Sequence, residues 1–139
     1  NLDACHRIVL GALAGALRPL AGAVEHRGIC DLAWNDRKFS GNSLRVKRTH
    51  LMYHGTLLYD FDLRLIARLL RTAPRQPEYR QGRDHADFVT NVPLRRGQLV
   101  EAVRAAWHAE EVAKFETPFA RVRQLTSERY GRDEWTFAL

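Results

Sequence analysis

Residues 35–63, with the sequence NDRKFSGNSLRVKRTHLMYHGTLLYDFDL, contain two strand-like segments joined by a basic turn. The segments run from Lys38 to Arg45 and from His50 to Tyr59, and apolar and polar side chains alternate in the second. This period of two is typical of half-buried β-strands. The letters VKRT between the segments predict a hairpin turn near residues 46–47. An even pairing register, 38 with 56 and 40 with 54, would place four polar side chains on one face: Lys38, Ser40, His54 and Thr56.

Helices and one further strand are predicted around this hairpin. Apolar residues at helical spacing indicate a first helix over 3–17 that Arg18-Pro19 weakens or ends, and a short mixed segment from Ala23 to Trp34 indicates a strand that includes Gly28. The other predicted helices are 63–71 with Asp62 as N-cap, 94–109, and 118–130 with Thr117 as N-cap. The residues predicted to be buried on these helices are Leu10, Leu13, Ala14, Leu17, Leu63, Ile66, Ala67, Leu70, Leu99, Val103, Ala106, Trp107, Phe119 and Val122.

Residues 72–93, rich in Pro, Arg, Gln and Gly, show no periodicity. A loop of this length within a compact domain is usually functional or mobile. The order helix, strands, helix, loop, helix, helix predicts an α+β domain with helices on one side of a mostly antiparallel sheet. At 139 residues, the chain fits one domain, 1–139, with a buried core.

The composition limits the cellular context. The apolar N-terminal segment is interrupted by Arg18 and Pro19 and lacks a basic leader, which argues against a membrane span and a signal peptide. The first residue is not Met, so we expect a processed or excised piece of a longer protein. Two cysteines, Cys5 and Cys30, occur outside any CxxC, so we expect reduced thiols in a cytoplasmic protein.

The charge and the histidines leave the ligand class open. A net charge of +6 suits a nucleic acid, but the arginines are dispersed and no nucleic-acid-binding motif accompanies them. An acidic protein or a phosphate-bearing ligand would fit equally well. His50 and His54 would lie about 13 Å apart on a strand, too far to chelate one metal ion. We therefore expect no metal site and no nucleic-acid partner.

Lys38 is the residue most indicative of chemistry. Gly41 removes a side chain close to it, so a carboxylate or phosphate could approach both the backbone and the ammonium. A solvated lysine on an exposed strand explains the same residues without any function. Cys30 could be a nucleophile, although a buried, inert thiol is commoner. His54 is as well explained by a backbone-bonded structural histidine as by a catalytic one.

The run GICDLAWNDRKFSGNSLR followed by HGTLLYDFDL resembles the lipoate–protein ligase A family, within the biotin/lipoate ligase and octanoyltransferase superfamily. The KxxGxA motif of that superfamily is matched by Lys38 to Ser43, with Ser43 replacing the alanine, and its HxxLL motif by His54 to Leu58. The resemblance implies a class II synthetase/biotin-lipoate ligase-like fold. It continues more loosely through the arginine-rich loop to the C-terminus.

The resemblance also implies a reaction. A lipoate ligase joins lipoate to ATP, with Mg²⁺ accompanying the nucleotide, and passes the lipoyl group from lipoyl-AMP to a lysine of an acidic lipoyl domain. Such domains belong to 2-oxoacid dehydrogenase and glycine cleavage proteins. Lys38 would match the lysine that contacts the acyl carbonyl and the phosphate. The other residues implied to line the site are Asp31, Gly41, Ser43, His54 and Thr56.

One family motif, a glycine-rich Arg-Arg…Gly-Gly-Gly…His-Asp stretch, is absent from the sequence. We therefore expect the chain to hold the C-terminal part of the catalytic domain and to be inactive alone. Two alternatives remain. One is an octanoyl or lipoyl transferase without ATP. Cys30 lies only eight residues before Lys38, and this short separation argues against a transferase that uses a cysteine nucleophile. The other is a basic binding module or inactive homologue.

Overall fold

The computed structural model describes residues 1–109, 111–112 and 114–138. Within these residues, four strands form one sheet in the order β1-β2-β3-β4, and every neighbouring pair is antiparallel. The strands are β1 (Val24–Arg27), β2 (Asp31–Trp34), β3 (Arg37–Val46) and β4 (Leu51–Gly55). The helices are α1 (Leu2–Ala21), α2 (Arg64–Leu69), α3 (His85–Phe88), α4 (Arg96–Ala106), α5 (Phe119–Leu125) and α6 (Asp133–Thr136). The predicted α+β class is confirmed.

The segment predicted as one strand from Ala23 to Trp34 is a hairpin of two short strands. The predicted register of the next hairpin is also wrong, because Asn42 pairs with Gly55 and Ser43 with His54. The centre of the turn therefore lies closer to the C-terminus than the predicted position at residues 46–47. The strand β4 ends at Gly55, and the chain then follows β3 through two isolated bonds, from Thr56 N–H to Gly41 O and from Leu58 N–H to Phe39 O.

A β-bulge in β3 fixes the direction of Lys38. Leu32 pairs with Ser40 but Ala33 pairs with Lys38, so Phe39 is the additional residue on β3. In a regular strand, residues three apart point to opposite faces, whereas a bulge brings them to the same face. Lys38 and Gly41 therefore share a face with Asp31. The predicted shared face of Lys38 and Ser40 is wrong for the same reason.

One core lies between the sheet and helices α1 and α4. Its fully buried members are Leu10, Ala14 and Leu17 of α1, with Val24, Leu32, Phe39 and Val92. Burying each Leu or Phe side chain contributes about 1.5–3 kcal/mol. Leu99 and Ala102 extend the core along α4, whereas Trp107 is 43% exposed, contrary to prediction.

Helix α1 continues past Pro19 to Ala21, four residues beyond the predicted end at Leu17. A proline removes one helical hydrogen bond, but its φ is helical. The final turn is closed by a bond from Gly22 N–H to Arg18 O (2.8 Å). It is also tied to the sheet, because Arg18 Nε donates to Val24 O and Trp34 Nε1 donates to Ala21 O.

A second core lies on the opposite face of the sheet, so the prediction of helices on one side only is wrong. Ala33 packs there with Tyr79, Phe88 and Val89, and Leu63 and Ile66 near α2 cover them. The long segment 72–93 thus supplies core residues, a 3₁₀ turn (Glu78–Arg80) and helix α3. Residue Val89 also forms a parallel bridge with Lys38.

The predicted C-terminal helix, 118–130, is divided into α5 and a π-helical turn (Thr126–Tyr130), and α6 follows beyond its predicted end. Pro118 rather than Thr117 occupies the N-cap of α5. Phe119 is 63% and Val122 is 47% exposed, so neither points inward as predicted. Leu70, beyond the end of α2, is exposed as well. Across the residues described, no helix is long and apolar enough to cross a membrane.

Candidate functional site

A triad of side chains, Lys38, Asp31 and Tyr79, occupies the face of the sheet that carries the second core. The Lys38 ammonium lies 2.7 Å from Asp31 Oδ1, and the Tyr79 hydroxyl donates to Asp31 Oδ2 at 2.9 Å. The Asp31 side chain is only 7% exposed, whereas that of Lys38 is 31% exposed. The Lys38 ammonium is therefore paired with a buried carboxylate, while the lysine side chain remains partly accessible to solvent.

The backbone around the triad is held on both sides of β3. Lys38 pairs with Ala33 of β2, and its carbonyl accepts from Thr90 N–H at 2.9 Å. Gly41 lies opposite Asp31. A Cβ at Gly41 would come within 3.2 Å of both Lys38 Cε and Nζ, so the absence of a side chain there makes room for the lysine itself.

The environment changes the acidity of Tyr79. Burial, and secondly the negative charge of Asp31, raise the pKa of the Tyr79 hydroxyl far above its ordinary value. The hydroxyl therefore stays protonated and remains a hydrogen-bond donor. Sequence reasoning missed this residue, since it lies in the segment without periodicity, 48 residues after Asp31 in the chain.

Two pockets meet at the Lys38–Asp31 pair. A pocket of about 330 Å³ lies on the β3–β4 side, and one of about 730 Å³ lies on the side of the β1–β2 turn and the Pro77–Tyr79 segment. Cys30, Asp31 and Lys38 line both. The larger pocket also has cationic side chains from Arg27 and Arg75. A ligand with a negative group at Lys38 could extend in both directions.

All six sequence-predicted site residues line the smaller pocket: Asp31, Lys38, Gly41, Ser43, His54 and Thr56. The predicted hairpin register was wrong, yet the site still forms. This is because His54 lies opposite Ser43 and Thr56 N–H bonds to Gly41 O. His54 and Thr56 are exposed, as expected for a pocket rim.

Asn42 and Gly55, which sequence reasoning did not assign to the site, shape the same pocket. The Asn42 amide donates to Cys30 O (2.8 Å) and to Ser40 Oγ (2.9 Å), joining β3 to the β1–β2 turn. A Cβ at Gly55 would lie 1.9 Å from Asn42 Oδ1. Only glycine can occupy that position without displacing the amide. The sequence signal was present, since both residues belong to the quoted motifs.

Cys30 also borders a third pocket of about 510 Å³, next to His6. The Tyr53 hydroxyl and His6 Nδ1 share a hydrogen bond of 2.9 Å that joins α1 to β4. Burial, with a smaller contribution from Cys30, raises the pKa of Tyr53 to about 12. This bond therefore ties α1 to β4, the strand that contributes His54 to the smaller pocket.

A protein-bound metal ion has no ligand set in the part of the chain that the structure describes, where no three His, Cys, Asp or Glu side chains are suitably grouped. Asp31, a carboxylate that lines both pockets, already contacts Lys38 and Tyr79. The arrangement is suited instead to binding an anion or a polarised carbonyl at the lysine ammonium.

The fold is an α+β domain in which two adjoining pockets share Lys38. Residues 1–111 match the sequence model of the lipoyl protein ligase A/B catalytic domain, and the chain belongs to that family. The resemblance noted from the two motifs is thereby confirmed. No curated protein sequence matches the chain significantly.

Solved structures share this fold at low sequence identity. Protein Ta0514 from T. acidophilum, described as a lipoate protein ligase and solved with bound lipoic acid, has a TM-score of 0.74 and 15% identity, covering 100% of this chain and 60% of its own. A bi-partite lipoate protein ligase from Thermoplasma acidophilum, studied with its E2 lipoyl domain, has a TM-score of 0.77 and 17% identity. The match covers 97% of this chain and 58% of that protein. A lipoate-protein ligase A bound with ATP has a TM-score of 0.73 and 18% identity. The match covers 97% of this chain and 59% of that protein. The chain thus spans about 60% of the length of these proteins.

Proposed function

We propose that this chain forms the Lys38 side of a lipoate–protein ligase active site. In the proposed reaction, lipoate and ATP give lipoyl-AMP, and the lipoyl group then passes to a lysine of a lipoyl domain. The observation that carries the proposal is that Lys38, whose ammonium is paired with Asp31, lines two adjoining pockets. Lipoyl-AMP has its acyl-phosphate linkage between two bulky parts and needs a cation at that junction.

In this proposal, Lys38 stabilises negative charge on the acyl carbonyl and phosphate oxygens. Asp31 holds the ammonium in place, and Gly41 leaves the space that the lysine occupies. Ser43, His54 and Thr56 line the wall of the smaller pocket and transfer no proton. Mg²⁺ would arrive with ATP, because the described residues offer it no cluster of ligands.

Family membership and relatives with bound lipoic acid and bound ATP support these substrates. The relative studied with an E2 lipoyl domain supports an acceptor of that kind. The net charge of +6 favours an acidic lipoyl domain, such as those of 2-oxoacid dehydrogenase or glycine cleavage proteins. We place the reaction in the cytoplasm.

Binding of a non-hydrolysable lipoyl-adenylate analogue, measured by calorimetry, tests the role of Lys38. We expect Lys38→Ala to weaken binding by about 10²-fold, the scale of losing a charge-stabilising donor. Lys47→Ala, which removes an exposed lysine from the β3–β4 turn, is the matched control and should bind normally. Equal affinity of the wild type and Lys38→Ala would overturn the assignment.

The chain contains no Gly-Gly-Gly motif, and we propose that its site is partial. Lipoate-dependent AMP formation by the chain alone should therefore be absent. Addition of a polypeptide that carries the glycine-rich motif should restore it. Robust turnover by the isolated chain would contradict the partial-site proposal.

A lipoyl or octanoyl transferase without ATP is the second candidate function. The supporting observation is that Cys30 lines both pockets together with Lys38, despite the short sequence separation that argued against a thiol nucleophile. Transfer from an acyl-carrier protein without ATP, abolished by Cys30→Ser and retained in Cys5→Ser, would favour this candidate. Salt-sensitive RNA binding unaffected by Lys38→Ala would instead indicate a basic binding module.

A further inference from the structure

We propose that Tyr79 is a positioning residue that acts on Lys38 through Asp31. Its hydroxyl fixes the orientation of the Asp31 carboxylate, and the carboxylate in turn holds the Lys38 ammonium between the two pockets. The proposal rests on the function proposed for Lys38. Tyr79 lies outside both sequence motifs.

The two oxygens of the Asp31 carboxylate have different partners. Oδ1 contacts Lys38 Nζ at 2.7 Å, and Oδ2 accepts from the Tyr79 hydroxyl at 2.9 Å. A lysine side chain has a flexible four-carbon stem, so its ammonium is located by its hydrogen-bond partner. With the hydroxyl removed, the carboxylate can rotate and its buried Oδ2 loses its donor. Lys38 then loses a fixed anchor.

The Tyr79 ring is held on two sides, which fixes the position of the hydroxyl. The residue is 8% exposed. The Arg27 guanidinium carbon lies 5.2 Å from the ring centroid, and the Phe88 ring lies 5.1 Å from it. A cation over the ring face and a tilted aromatic neighbour are both favourable contacts.

The backbone of Tyr79 is held as well. Arg83 Nη2 donates to Tyr79 O at 2.6 Å and to Asp36 Oδ2 at 3.0 Å. Arg27 Nη2 donates to Asp36 Oδ1 at 2.7 Å. Asp36, in the turn between β2 and β3, therefore bridges the two arginines that contact Tyr79. This clamp, formed by Arg27, Asp36 and Arg83, ties the segment that carries Tyr79 to the turn between β2 and β3.

A first experiment measures the Lys38 ammonium without a ligand. The sequence has three lysines, Lys38, Lys47 and Lys114, so ¹⁵N-lysine labelling gives few signals, which Lys→Arg variants assign. We expect Tyr79→Phe to speed hydrogen exchange of the Lys38 ammonium by about tenfold, the scale of losing a hydrogen bond to a charged group. Tyr59→Phe removes the same atom from an exposed tyrosine and should change nothing.

Unchanged Lys38 exchange in a folded Tyr79→Phe variant would overturn the proposal. Circular dichroism checks the fold. If Tyr79→Phe does not fold, Arg83→Gln releases the Tyr79 backbone instead, and the same acceleration is expected. An unchanged exchange rate of the Lys38 ammonium in that variant would also overturn the proposal.

A second experiment is a double-mutant cycle on affinity for the lipoyl-adenylate analogue. We expect Tyr79→Phe to weaken binding about tenfold in the wild-type background and at most about twofold with Asp31→Asn, because the effect passes through that carboxylate. Equal losses in both backgrounds would show that Tyr79 acts independently of Asp31. If Lys38→Ala binds the analogue normally, the proposed function fails, while the exchange measurement still decides the role of Tyr79.

Discussion

Replacing Lys38 with methionine would leave the buried Asp31 carboxylate without its cation. At 2.7 Å, an ion pair in an effective dielectric of about 20 has a Coulomb energy of roughly 6 kcal/mol. Desolvation of the two charges offsets much of this energy. Removing one partner of a buried pair costs about 3–5 kcal/mol. Because Lys38 is partly exposed, we expect the free energy of unfolding to fall by about 3 kcal/mol, the lower end of that range.

The loss should be largely recovered when the acid is neutralised too. In Asp31→Asn/Lys38→Met, no charge remains buried, and the side chain at 31 can still accept from Tyr79. We expect a coupling energy of about 2 kcal/mol between the two sites. Urea unfolding at pH 7, followed by circular dichroism, gives the four free energies of unfolding. The exposed Lys47→Met is the control and should change stability by less than about 0.5 kcal/mol. Additive losses, or a loss below about 1 kcal/mol for Lys38→Met, would refute the description of Asp31–Lys38 as a buried pair with an energetic role.

Three further changes test the surroundings of the pair. Gly55→Ala should destabilise the fold by about 2 kcal/mol in urea unfolding, because its Cβ would displace the Asn42 amide, which lies 1.9 Å away. Asp31→Asn should lower the pKa of Tyr79, since it removes a negative charge beside the hydroxyl; absorbance at 295 nm follows the ionisation. Stability should also depend on Tyr53, whose pKa of about 12 in the folded state exceeds the ordinary 10.0. That contribution is fully present below pH 10 and is lost as the pH rises towards 12, and Tyr53→Phe should remove it.

Each of these changes has a control and a contrary outcome. Gly15→Ala on α1 meets nothing within 4 Å and should be tolerated, so an equal loss at both glycines would contradict the steric argument. An unaltered Tyr79 titration in Asp31→Asn would contradict a contribution of the Asp31 charge to the pKa of Tyr79. Identical stability curves for the wild type and Tyr53→Phe between pH 10 and 12 would show that Tyr53 titrates normally.

The local sequence determined the secondary-structure class and the membership of the pocket. Period-two alternation identified β3 and β4, and helical spacing identified α1 and α4, because these patterns depend only on which side chains must be buried. The two motifs contained five of the six predicted pocket residues, and the sixth, Asp31, precedes the first motif by seven residues. Their mutual proximity follows from antiparallel pairing, even though the register was predicted incorrectly.

Tertiary structure decided the features that depend on non-local partners. The bulge at Phe39 turns Lys38 towards Asp31, and no alternation pattern marks one additional residue in a strand. Tyr79 reaches Asp31 from a segment without periodicity, because its ring is buried against the second core. In contrast to Tyr79, Phe119 and Val122 were predicted to be buried from their helical spacing but are exposed. An apolar pattern identifies a face suited to burial, but only the three-dimensional arrangement decides whether another surface covers it.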